Sequence, residues 1–194
     1  MTNWEEHYQT GQIFWNRGAP SPPLVQWVEA NGLSGHVLVP GCGLGHEVAW
    51  LTGAGIHASG LDIAPTALAL AAKEHPEVPV ERWVCADLFA LPEAMVGAFD
   101  AVVEHTCLSG LPPELRQDYV RGVLTALKPG GLIVGVWFIS PDRDPGDEGP
   151  PFTLPVEVLD KMFAGKAEVM DDYVPEVAFP GREGRERLRV LRKV

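Results

Sequence analysis

The chain has 194 residues, 46% of them hydrophobic, and 26 acidic against 15 basic side chains give it a net charge of −11. That is one domain (1–194) with enough apolar material for a real core, and its acidity argues against nucleic acid or an anionic membrane as a partner, since both repel such a surface. No apolar run approaches the ~20 residues of a membrane span, Glu5 and Glu6 stand where a signal peptide needs basic and then apolar residues, and Cys42, Cys85 and Cys107 lack C-x-x-C spacing. A cytoplasmic protein without disulfides or a metal is expected.

Residues 1–20 form an arm containing Trp4, Tyr8, Phe14 and Trp15. Trp4 and Tyr8 are four apart, so a short helix puts both on one face; the arm can be packing, or a lid that closes over a flat ligand. Ser21-Pro-Pro-Leu reads as a capped helix start, and Asn31-Gly32 as its end. The apolar run 36–40 is a strand that stops at Pro40 and gives way to Gly41, Gly43 and Gly45, followed at once by a helix over 45–53. Glycine tolerates positive φ and lets a ligand lie on bare backbone. His46 occupies the place of the last glycine in G-x-G-x-x-G, so the dinucleotide pattern is not present, and it reads as a residue supporting the turn.

A strand over 56–62 ends in Asp62, a helix follows at 64–73, and a strand over 82–87 ends in Asp87. The strand at 99–105 closes with Glu104-His105. A helix over 112–127 is stopped by Lys128-Pro-Gly-Gly, and 131–139 is a further buried strand. Strands alternating with helices, and apolar without polar alternation, mean a parallel sheet covered on both faces. Beyond a Pro-, Asp- and Gly-rich loop, 156–163 is a helix, and 166–178 and 185–194 are strands of a hairpin across Pro180-Gly181. The basic residues Arg182, Arg185, Arg187, Arg189, Arg192 and Lys193 read as a solvated edge strand, whose charge discourages edge-to-edge association.

In an open α/β sheet the ligand sits beyond the carboxyl ends of the strands. Those ends here are the glycine turn, Asp62, Asp87 and Glu104-His105. Asp62 lies about twenty residues past the turn, the spacing of an acid that accepts ribose hydroxyls. Asp87 can accept an adenine amino hydrogen while Leu88 packs on the ring. A nucleoside without a pyrophosphate pattern or a Walker-type lysine points to S-adenosyl-L-methionine.

On these residues the chain resembles the thiopurine methyltransferase superfamily, with its thiol and halide methyltransferase branch. The resemblance rests on Trp4-Glu5 with Tyr8 and Trp15, Val39-Pro-Gly-Cys-Gly-x-Gly-His46, Gly60-Leu-Asp-Ile63 and Asp87-Leu-Phe89. It continues through Phe99-Asp100, Leu111-Pro-Pro-Glu-Leu-Arg116, Leu127-Lys-Pro-Gly-Gly131, Gly149-Pro-Pro-Phe152 and the basic segment near Arg182. It implies a Rossmann-like class I methyltransferase fold: a seven-stranded, mostly parallel sheet with an antiparallel last strand and helices on both faces. It also implies a cofactor site of Trp4, Tyr8, Trp15, Gly41, Gly43, Asp62, Ile63, Asp87, Leu88 and His105, with Phe14, Trp15 and Phe152 toward the substrate. Tyr8 and His105 depart from the tryptophan and tyrosine of plant relatives.

The expected activity is methyl transfer to a small sulfur nucleophile (thiol or hydrosulfide) or a halide-like anion, by a monomer or homodimer. Trp15 aligns and shields, and His105 either assists thiol deprotonation or is structural. Cys107 reads as a small packing residue, because such transfer needs no covalent intermediate. The alternatives are selenium, tellurium or nitrogen acceptors, or a non-catalytic sensor of the same nucleoside. The 140–152 loop is expected to border the substrate.

Overall fold

The computed structural model describes residues 2–141 and 149–194. Seven strands make one sheet: β1 (His36–Pro40), β2 (His57–Asp62), β3 (Trp83–Cys85), β4 (Phe99–His105), β5 (Leu127–Phe138), β6 (Ala167–Tyr173) and β7 (Glu186–Lys193). Their spatial order is β3-β2-β1-β4-β5-β7-β6. The pairs among β1 to β5 are parallel, and β7 runs antiparallel to both β5 and β6. Strand order reverses between β1 and β4, so the crevice for a ligand opens at their carboxyl ends. Among the described residues, no helix is long and apolar enough to cross a membrane.

The helices are α1 (Trp4–Thr10), α2 (Pro22–Asn31), α3 (His46–Gly53), α4 (Pro65–Glu74), α5 (Arg116–Ala126) and α6 (Val156–Phe163). Successive strand residues point to opposite faces, and here both faces are apolar. Leu38, Val102 and Ile133 pack with Tyr119 and Val123 of α5 and Leu159 and Met162 of α6. On the other face Val37, Val39, Val103 and Val134 pack with Leu24 and Trp27 of α2 and Val48 and Leu51 of α3.

Four expectations from sequence are corrected. Ser21 precedes α2, but its hydroxyl makes no cap bond; Pro23, at the second helical position, removes one of the two N–H donors a cap side chain reaches. Its backbone N–H donates instead to Glu47 Oε1, 3.1 Å away. α5 ends at Ala126, and β5 begins at Leu127, before the Pro-Gly-Gly that was expected to stop the helix. The residue preceding a proline is pushed toward extended backbone, and Leu127 already pairs with Phe99 across a register shift. β6 ends at Tyr173, five residues short of the expected strand, close to Pro175, which has no N–H for the ladder.

The basic C-terminal segment is not a solvated edge. β7 lies inside the sheet and β6 forms the edge. Arg189 is 2% exposed and reaches Asp160 Oδ1 at 2.7 Å and Asp172 Oδ2 at 2.8 Å. Arg187 bonds Asp172 Oδ1 at 2.5 Å.

Candidate active site

Gly41, Gly43 and Gly45 follow β1 with φ of +59°, +53° and +78°, backbone that L side chains rarely adopt. Space is short as well as strained. A Cβ on Gly41 would stand 2.7 Å from Cys107 Sγ, and one on Gly43 would stand 2.7 Å from the Tyr8 hydroxyl. Asp62, at the end of β2 and 6% exposed, accepts the N–H of Gly43 at 2.9 Å and of Ala64 at 2.9 Å. Burial pushes its carboxyl upward and those backbone donors oppose the shift. The carboxylate therefore staples the glycine turn to the loop ahead of α4. Next to it Ile63 is 55% exposed, an apolar side chain left bare at the strand ends.

Asp87 accepts the Phe89 N–H at 2.8 Å and caps a short turn. Leu88 is buried in the core cluster under α5; it is a floor residue more than an open platform for a ring.

The arm is folded. Asn3 accepts the Glu6 N–H to start α1, and Glu5 receives both the backbone N–H (3.0 Å) and the hydroxyl (2.5 Å) of Thr66 in the first turn of α4. Trp4 meets Trp15 edge-on with centroids 5.2 Å apart, and Trp15 Nε1–H donates to the Tyr8 hydroxyl at 3.3 Å. Tyr8 is buried, which raises its hydroxyl's pKa well above the ordinary phenol range. The Trp4 ring also lies against Gly110, where a Cβ would approach it to 3.2 Å. Phe152 donates its N–H to the Ser109 carbonyl at 2.6 Å, so Trp4, the turn after β4 and Phe152 converge. Phe14 does not join them; it is 83% exposed. Of the 140–152 loop, residues 142–148 lie outside the described residues.

Beneath this aromatic wall lies a polar network that the sequence did not disclose. His105 Nδ1 is 2.8 Å from Glu47 Oε1, and Nε2 is 3.3 Å from Arg182 Nη1. Arginine only donates, so Nε2 accepts and Nδ1–H donates, which fixes a neutral tautomer. The lone pair a general base needs is thus directed at Arg182. The imidazole stacks on Phe179 at 5.9 Å, and the Arg182 guanidinium sits 4.8 Å over Phe138 and bonds Glu186 Oε1 at 2.9 Å. Burial acts to raise Glu47, but His105 and the Ser21 N–H leave it below the usual carboxylate range. Glu47 stood beside a residue already noted, His46, yet nothing in its spacing marked it.

Glu104 is fully buried. Oε1 accepts the Leu108 N–H at 3.0 Å and Oε2 has no partner among the described residues, and burial pushes the carboxyl up to about 7. Burial also raises the Cys107 thiol and the Tyr119 hydroxyl, with Glu104 adding to both. Between about 4.5 and about 7 the folded chain holds a proton that the unfolded chain has released, so Glu104 makes stability fall as pH rises through that window. Glu104→Gln keeps the Leu108 bond without the charge. Its urea midpoint is expected to match the parent's at pH 4 and exceed it at pH 8. The same pH slope in both proteins would count against the assignment.

The Thiopurine S-methyltransferase family model matches residues 1–192. A "Probable thiol methyltransferase 2" of Arabidopsis thaliana is 29% identical over 190 residues, 95% of this chain and 82% of the relative. A "Thiocyanate methyltransferase 1" of Brassica oleracea is 28% identical over 199 residues, covering 98% and 84%. Among solved structures, a Burkholderia thailandensis 1,6-didemethyltoxoflavin-N1-methyltransferase with bound S-adenosylhomocysteine aligns with a TM-score of 0.72, 20% identity and coverage of 98% and 85%; at that identity it speaks for the fold alone.

Proposed function

The chain belongs to the thiopurine S-methyltransferase family, and from that premise we propose that it transfers a methyl group from S-adenosylmethionine to a small, soft sulfur nucleophile, a thiol or hydrosulfide, with halide-like anions in the same acceptor class. The site residues fit that donor. Asp62 and Asp87 are hydrogen-bond acceptors at adjacent strand ends, suited to ribose hydroxyls and an adenine amino group, and Ile63 offers bare apolar surface to a flat ring. In the glycine turn Gly41 is exposed, while Gly43 and Gly45 are buried. Trp4 and Trp15 supply aromatic surface, which attracts a cation such as a sulfonium.

Bound there, the donor supplies a methyl group on an already activated leaving sulfur. What the chain then contributes is alignment and exclusion of water. A thiol of pKa ~8.5 is a few per cent thiolate near pH 7, so no strong base is required. The observation that carries the reading is the combination of a closed aromatic arm with His105 engaged on both ring nitrogens: a site built to position a nucleophile that ionises by itself. Glu47 and Arg182 hold His105 as a positioning residue.

Two experiments test this. A panel of thiols, sulfide, thiocyanate, halides, amines and oxyanions is scored by S-adenosylhomocysteine release, with turnover expected on sulfur nucleophiles and soft anions. Turnover on amines alone, or on nothing, would overturn the proposal, the second result favouring a sensor. Trp15→Ala is expected to lower kcat at least tenfold, roughly 1.4 kcal/mol, while donor affinity measured by calorimetry moves less. An unaltered rate would remove the shielding role.

A further inference from the structure

We propose that His46, Glu74 and His75 form a binding site for a divalent transition-metal ion, zinc-like in its preference, which fastens the arm to the glycine turn and to α4. His46 is the first residue of α3, Glu74 the last of α4 and His75 the position just after it. Each offers one ligand atom, and all three atoms lie within 4.8 Å of one another. Bonds of ~2.0–2.1 Å to a tetrahedral zinc place ligand atoms roughly 3.4 Å apart, so the three side chains close in on the ion when it binds. Two imidazoles and one carboxylate are the ligand types that zinc, cobalt and nickel take, with further positions left to water.

The surroundings single out these side chains. His75 Nδ1 is 3.4 Å from Glu77 Oε1, and His75 Nε2 is sealed from solvent with no hydrogen-bond partner among the described residues. A carboxylate behind a histidine, with the far nitrogen unpaired, is the arrangement that orients imidazole toward a metal. An unpaired buried ring nitrogen is otherwise a desolvation cost with nothing to offset it. His46 has the complementary arrangement: Nε2 lies 2.9 Å from Asn16 Oδ1, which leaves Nδ1 for a ligand. The two rings meet edge-on at 5.5 Å. Because Asn16 belongs to the arm and His46 adjoins Gly45, a cation here joins three segments separate in the chain. The residues are 29 positions apart, so no motif spacing announced them.

The test uses tag-free full-length protein stripped with a chelator and titrated with Zn2+ against a chromophoric competitor, with Co2+ as a spectroscopic probe. One ion per chain, a Co2+ visible band of low-symmetry nitrogen–oxygen coordination and a raised Tm are expected. Glu77→Gln, which alters only the residue behind His75, is expected to weaken binding about tenfold or more, and His75→Gln and Glu74→Gln to weaken it further. Circular dichroism establishes that each variant is folded, and the exposed Glu74 serves if His75→Gln is not. The stacked pair His36 and His57, 4.0 Å apart, is the control. Binding that survives in Glu74→Gln and Glu77→Gln, or is lost in His57→Asn instead, overturns the proposal, as does the lack of saturable binding.

Discussion

Replacing Arg182 with alanine is expected to cost about 3–5 kcal/mol of unfolding free energy, the scale of removing one partner from a buried ion pair. Arg182 is 4% exposed and its partner Glu186 is fully buried. Alanine leaves that carboxylate without its charge partner, removes the donor facing His105 Nε2 and vacates the surface over Phe138. Against a total stability of about 5–15 kcal/mol this is a large fraction. The pair is imperfectly satisfied, since Arg182 Nε and Glu186 Oε2 have no partners among the described residues. A double substitution, Arg182→Met with Glu186→Leu, is therefore expected to recover most of the loss, because well-packed apolar residues replace buried pairs at little cost. Urea denaturation checks both variants. A loss under 1 kcal/mol for Arg182→Ala would mean that the guanidinium is far better hydrated than its burial indicates.

Asp62→Ala is expected to weaken S-adenosylmethionine binding by ~1–3 kcal/mol, the worth of hydrogen bonds to a charged acceptor. Two contributions combine. The carboxylate already holds the Gly43 and Ala64 N–H groups, so alanine also loosens the turn itself. The proposed ribose contact adds to this. Titration calorimetry with S-adenosylhomocysteine, paired with a denaturation curve, separates them: lost stability with unchanged affinity would overturn the ribose assignment and leave only the staple.

What the sequence made legible was local. Apolar runs ending in an acid or a glycine located β1, β2, β4 and the turn, because burial on both faces leaves no polar alternation to confuse the reading. That Trp4 and Tyr8 share a face of α1 followed from helical spacing, and both rings meet Trp15. The network around His105 was not legible, since its contacts to Glu47 and Arg182 span 58 and 77 positions. Arg182 and Arg189 misled for a related reason. Charges alternating with apolar residues describe a strand with one wet face, and only the tertiary partners Asp160, Asp172 and Glu186 turn that face into an interior one. Ser21 has a cap residue's chemistry, but Pro23 leaves that hydroxyl one donor fewer. Leu88 followed its motif into place, yet the core took up its side chain.

The arm is held at Glu5 by Thr66 and at Asn16 by His46. Pinned at both points, residues 5–16 form a strap, a closed loop whose entropic cost of closure grows only slowly with length. The two fastenings reach different elements, the first turn of α4 and the first residue of α3, so a substitution that breaks one of them still leaves Tyr8 and Trp15 tethered through the other.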